Sequence, residues 1–232
     1  TFKMTVPSPV MLVPSQYRVG VSDRAYPNWE AFFDDFTRLM AEETKAIVND
    51  GVSYVQLDAP GYSKFIVPER RQALLLDQGL DPKKELETIL AADNTILRAA
   101  RGDGVTVAVH ICLGTFVLGP QGPLGGAGST YETSTVAEII DRLEADTFLI
   151  EYSGRSGALE SLRDVPKHKT ISLGVINIRD PEVEAADDLV RKIEEATRFV
   201  PLDNLTVCPN CGFSGASQDA WVREDVQRRK LD

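Results

Sequence analysis

Val105-Thr106-Val107-Ala108-Val109-His110-Ile111-Cys112 follows a Gly-Asp-Gly break at 102–104 and leads into a glycine-rich run that starts at Gly114. Its first five residues are apolar or β-branched without polar alternation, the pattern of a strand covered on both faces. The stretch before it, Lys83–Arg101, sets Leu86, Ile89, Leu90 and Leu97 on one side of a helix. This unit of helix, break and strand recurs along the chain. Upstream, Trp29, Phe32, Phe33, Phe36, Leu39, Met40 and Ile47 mark a helix over Trp29–Asn49, Gly51 stands at its C-cap, and Tyr54–Asp58 is a strand. Downstream, helix Thr135–Leu143 leads to strand Thr147–Glu151, a short helical piece at Ala158–Leu162 to strand Thr170–Ile178, and helix Val183–Phe199 to strand Leu205–Cys208. Phe2–Val6 reads as an opening strand and Gln218–Lys230 as a closing helix. Apolar strands alternating with amphipathic helices predict an α/β fold with a parallel sheet. The pattern alone fits a barrel or an open sheet.

The 232 residues are 43% hydrophobic, which excludes a disordered chain. Thirty-five Asp and Glu against 25 Lys and Arg give a net charge of −10, so nucleic acid and anionic membranes are not expected partners. The longest apolar runs are of strand length, well short of the ~20 residues of a membrane span. Three cysteines and no secretory segment predict a cytoplasmic protein. No low-complexity linker divides the chain, which reads as a single domain over 1–232. The Gly114–Ser129 run is expected to be a long loop after a strand, where barrel active sites are built.

Chemistry-bearing side chains collect at the C-terminal ends of the predicted strands. Residues two apart on a strand share a face, so His110 and Cys112 can aim an imidazole and a thiolate at one point. Glu151 ends the next strand, and Cys211 lies just past the last one, in Cys208-Pro209-Asn210-Cys211-Gly212. Any one of these residues alone is more often structural. Together, an imidazole, two thiolates and a carboxylate form a borderline-soft tetrahedral set suited to Zn²⁺. The spacing Cys208 to Cys211 also suits a redox dithiol, though no second cysteine pair accompanies it. Asp58 shares the same rim, where it can act in the site or start a turn. His168, between Lys167 and Lys169, reads as solvated.

These residues resemble the cobalamin-independent methionine synthase family and its shorter relatives, including the epoxide-opening coenzyme M transferases. The matching segments are Pro7-Ser8-Pro9, Tyr54-Val55-Gln56-Leu57-Asp58-Ala59-Pro60, His110-Ile111-Cys112, Glu151-Tyr152-Ser153, Gly174-Val175-Ile176-Asn177 and Pro209-Asn210-Cys211-Gly212. The resemblance implies a (β/α)8 TIM-type barrel, with zinc held by His110, Cys112, Glu151 and Cys211. It also implies that Asp58 holds a substrate amino group, with Gln56 and Ser153 lining the substrate. Against the family pattern both ends of this barrel domain look trimmed, with the first two or three βα units outside the chain. The exposed sheet edges are then expected to be covered by a missing segment, a companion chain or an oligomer.

The activity implied is zinc-dependent S-alkylation of a small thiol, homocysteine or another, as in a methionine synthase-type methyltransferase. Asp58, Asn177 and Arg179 are the expected catalytic residues, with Arg179 holding an anionic group. Where the family has Asp-x-His, this chain has Asn177-Ile178-Arg179; Ala59 and Lys64 stand where acidic residues are usual. Methylfolate needs a proton donor for its departing nitrogen, so a methylcorrinoid or a strained epoxide is the expected alkyl donor. The alternative reading is a non-catalytic zinc-stabilised barrel domain that serves assembly.

Overall fold

The computed structural model describes residues 2–12, 16–112, 132–152, 159–178, 180–213 and 222–232. Six strands form one sheet: β1 (Lys3–Pro7), β2 (Tyr54–Asp58), β3 (Thr106–Ile111), β4 (Thr147–Glu151), β5 (Thr170–Ile176) and β6 (Leu205–Pro209). They lie in sequence order and every pairing is parallel. Each parallel step requires a crossover. The helices α1 (Trp29–Asn49), α2 (Ser63–Ile66), α3 (Pro68–Leu74), α4 (Pro82–Ala99), α5 (Thr133–Arg142) and α6 (Ala186–Ala196) lie on these crossovers, and α7 (Glu224–Leu231) follows β6.

Helix starts follow local chemistry. The Asn28 side chain accepts from the Ala31 amide at the head of α1, and Asp81 accepts from Lys83 at the head of α4, with Pro82 in the first turn. After α1 the chain turns at Gly51, whose φ of +93° is costly for any residue with a side chain. Helices α1 and α4 pack side by side. Two elements have no counterpart in the periodicity: α2 and α3 fill 63–74, a stretch that follows Pro60 and Gly61 and is broken by Pro68. The expected helical piece at 158–162 is only a 3-10 turn, Glu160–Leu162, among the described residues. Strand β3 runs on to Ile111, which brings His110 inside it.

The register separates the two faces of the sheet. Val55, Leu57, Val107, Val109, Phe148, Ile150, Ile171, Leu173 and Val175 alternate onto the helix side, all buried in one hydrophobic core. The opposite, inner face carries Gln56, Asp58, Ala108, His110, Leu149, Glu151, Ser172 and Gly174, mostly small or polar. This face is concave: Lys3 of β1 stacks its ammonium 5.5 Å from the Tyr54 ring and also interacts electrostatically with Cys208 of β6, from the opposite edge. The sheet therefore curls as a barrel wall does, and β1 and β6 have no strand paired on their outer edges among the described residues. Val207 of β6 is 52% exposed on the helix side.

Candidate metal centre

Asp58 and the residues expected to hold zinc lie at the C-terminal ends of strands. Asp58 closes β2, His110 is the penultimate residue of β3, Cys112 follows β3, Glu151 closes β4, and Cys211 comes two residues after β6. Parallel register brings them to one level: Asp58 pairs with His110 and Glu151 with Gly174. Backbone bonds hold the rim, with the Ser8 amide donating to the Asp58 carbonyl at 3.0 Å and the Ala59 amide to the His110 carbonyl at 3.0 Å.

The turn that delivers Cys211 depends on a close approach. Asn210 is buried; its amide donates to the Ile176 carbonyl at 2.9 Å and its side-chain oxygen accepts from the Ile178 amide at 3.3 Å. Beneath it lies Gly174, where a Cβ would come 2.6 Å from Asn210 Cα and 3.0 Å from the Ile150 carbonyl oxygen. Only glycine lets the turn settle onto β5, and the β5–β6 register shifts at this point.

The ligand atoms of His110, Cys112 and Cys211 all lie within 4.8 Å of one another. Glu151 is beside this group, its carboxylate 3.8 Å from Cys112 Sγ. His110 Nδ1 meets Asp58 Oδ1 at 2.6 Å, which leaves Nε2 as the ring nitrogen available to a metal. Burial disfavours the charged imidazole, but the hydrogen bond and charge of Asp58, with Cys211 and Glu151 nearby, outweigh it and raise the pKa of His110. The groups that raise it, Asp58, Cys211 and Glu151, are all anionic or can become so, a surrounding compatible with a bound cation. Tetrahedral zinc with thiolate and imidazole ligands sets neighbouring donors about 3.5–4 Å apart. One imidazole and two thiols already gathered on the scale of 4.8 Å, with an oxygen donor adjacent, fit that ion by donor type and by spacing.

A family model described as the catalytic domain of cobalamin-independent synthase matches residues 11–229. The chain belongs to this family. It is similar to the uncharacterized proteins YxjH and YxjG of Bacillus subtilis (strain 168), at 34% and 33% identity over 100% of this chain and 59% of each relative. It is also similar to the methionine synthase of Pyrococcus abyssi (strain GE5 / Orsay), at 23% identity over 81% of this chain and 45% of that protein. In fold it resembles the solved B12-independent methionine synthase from Shewanella sp. W3-18-1 in complex with selenomethionine. The TM-score is 0.70 at 20% identity, covering 99% of this chain and 58% of that one. The chain thus spans about three-fifths of the length of its first relatives, and its parallel α/β sheet is arranged as in cobalamin-independent synthases.

Within this cobalamin-independent synthase domain, Gln56 lies two residues below Asp58 on the same face, buried, with no hydrogen-bond partner for Oε1 among the described residues. Asn177 follows β5, and its amide donates to Glu184 Oε1 at 2.7 Å; Glu184 Oε2 in turn takes the fully buried Lys230 ammonium of α7 at 2.9 Å. Cys208 faces the inner side of β6, its thiol 3.8 Å from the Ser172 carbonyl, and burial pushes its pKa up. It is not one of the three gathered ligand residues. His168 is exposed and precedes β5, at the end of the sheet opposite the site. Ser153, Arg179 and the Gly114–Ser129 run lie outside the described residues. Sequence reasoning did not find the roles of Gly174, Asn210 and the Glu184–Lys230 pair. The first two stand in quoted motifs, but the contacts that explain them are tertiary.

Proposed function

We propose that this chain carries the metal- and thiol-binding half of a methionine synthase-type S-methyltransferase, with zinc at His110, Cys112 and Cys211 and Glu151 as the fourth donor. The observation that carries this reading is the gathering of these three residues within 4.8 Å of one another at the C-terminal ends of β3 and β6 in a family member. Zinc bound there would supply a Lewis acid that keeps a substrate thiol deprotonated near neutral pH yet nucleophilic. The acceptor is homocysteine or another small thiol.

The chain's own residues prepare the site. Asp58 fixes the ring orientation and tautomer of His110 through the 2.6 Å contact. Its side chain is still 40% exposed, so it can also meet a cationic group on the acceptor. Gln56 offers an unused acceptor oxygen beneath it. The concave face confines the reacting partners at the strand ends, and Asn177 borders them from β5. An amide is no general acid, and Arg179, with a guanidinium pKa above 12, supplies no proton. The alkyl donor is therefore one that needs little acid assistance, a methylcorrinoid or a strained epoxide in preference to methylfolate, with Arg179 meeting its anionic part. Free thiols as ligands and substrate suit a reducing, cytoplasmic setting.

Metal analysis of the purified protein, followed by assays of homocysteine and other small thiols against methylcorrinoid, epoxide and methylfolate donors, tests this reading. Transfer to a thiol with zinc bound supports it. Zinc without any thiol binding or transfer would favour a metal-stabilised assembly domain instead.

A further inference from the structure

Away from the ligand residues, helix α4 carries a carboxylate into the interior. Asp93 has no exposed surface, and both of its oxygens are taken: Ser8 Oγ donates to Oδ1 and Tyr62 OH to Oδ2, each at 2.7 Å. Ser8 and Tyr62 are themselves buried. Ser8 opens the rim segment after β1, and Tyr62 lies in the 3-10 turn Pro60–Tyr62 after β2. One carboxylate on an outer helix thus joins the two rim segments that flank Asp58. Their fit is close. The Val10 amide donates to Ser8 Oγ at 3.0 Å, and Lys64 Nζ to the Val10 carbonyl at 3.4 Å. A Cβ on Gly61 would come 2.6 Å from that same carbonyl oxygen.

The consequence reaches the metal centre through three short steps. Asp93 holds Ser8, the Ser8 amide holds the Asp58 carbonyl at 3.0 Å, and the Asp58 carboxylate holds His110 at 2.6 Å. A buried carboxylate is a costly way to fill space between a helix and a sheet, where an apolar residue would pack at lower cost. Two hydroxyl donors on one carboxylate fix both hydroxyl rotors and the loops that bear them.

We propose that Asp93 is a positioning residue for the candidate metal centre, clamping the rim segments after β1 and β2 so that Asp58 keeps its contact with His110. The inference rests on the proposed function only for the importance of that contact; the clamp itself is a property of the chain whether or not the site is loaded. Asp93 touches neither metal nor substrate, and its effect passes through Ser8 and Asp58.

The chain has two histidines, His110 and His168, so labelling histidine ring nitrogens gives a readout of the contact without metal or turnover. In the full chain, His110 should show a downfield ring N–H signal in proton–nitrogen NMR that exchanges slowly with water. Asp93→Asn should raise that exchange rate at least tenfold, and the milder Tyr62→Phe at least threefold. Backbone amides of β5, such as Leu173, should keep their protection, because a general loss of stability would speed both alike. If zinc-loaded protein transfers alkyl groups, KM for the thiol should rise at least fivefold in Tyr62→Phe with kcat within twofold. An absent N–H signal in the parent, an unchanged exchange rate in Tyr62→Phe, or equal acceleration at His110 and Leu173 would each overturn the clamp. Failure to find zinc or transfer in the parent would bring down the proposed function while leaving the NMR result to decide on Asp93.

Discussion

The Asp58 carboxylate lies 2.6 Å from His110 Nδ1, across the β2–β3 register in which these two residues are direct partners. If His110 holds zinc as proposed, the same carboxylate that the family resemblance implies for substrate also orients a metal ligand. Partners of this kind are worth roughly 10- to 100-fold in metal affinity. Asp58→Asn should weaken zinc binding by about that factor, measured by chelator competition, with the circular dichroism spectrum unchanged. An affinity equal to that of the parent would show that His110 does not depend on Asp58.

Gly174→Ala drives a methyl group to within 2.6 Å of Asn210 Cα, and the neighbour on that side is backbone, which yields little. Overpacking of this kind costs roughly 1–3 kcal/mol. Denaturant unfolding should show that loss. Zinc content should fall as well, since the displaced turn carries Cys211. A stability loss with full zinc content would mean that the strain is absorbed elsewhere, away from the turn.

Burial pushes the Asp93 carboxyl up to about 7, against the pull of the Ser8 and Tyr62 hydrogen bonds and the Lys64 charge. Around it stand Tyr62, raised by burial and by Asp93 itself against the opposing charge of Arg142, and Lys64, lowered by burial against the opposing charges of Glu85 and Asp93. An acid whose folded pKa exceeds its unfolded value keeps its proton longer in the folded state. Its contribution is most favourable below about pH 4, is lost as pH rises towards 7, and is flat above that. Unfolding free energies of Asp93→Asn minus those of the parent should therefore climb between about pH 4 and pH 7 and level off above. A difference independent of pH would show that Asp93 is ionised throughout.

Much of this layout is legible in the sequence, and the limits are physical. Helix α1 and strands β2 and β4 coincide with their predicted bounds, because their apolar spacing and breaks are strong and local. The gathering of His110 with Cys112 is legible for the same reason: a strand that ends in His-Ile-Cys fixes which side chains share a face. Helices α2 and α3 are hidden by prolines and glycine that punctuate them. Asp93 reads as an ordinary helical polar residue, since nothing within α4 reveals that Ser8, 85 positions earlier, closes on it. Lys64, which departs from the family's acidic pattern, is explained only by the carbonyl of Val10 and the buried Asp93 nearby.

If Glu151 is an oxygen ligand beside the two thiolates, zinc in the resting protein should have two sulfur neighbours by X-ray absorption. A bound acceptor thiol should raise the count to three. A count fixed at two with saturating homocysteine and with other small thiols would describe a site closed to substrate.

Zinc content of the purified chain and its cysteine variants decides whether the gathered side chains hold a metal. One zinc per chain is expected in the parent and in Cys208→Ser, whose thiol lies outside the gathered ligands, and little or none in Cys112→Ser and Cys211→Ser. Undiminished zinc in Cys211→Ser, or a parent that takes up no zinc when supplied with it, would contradict the account.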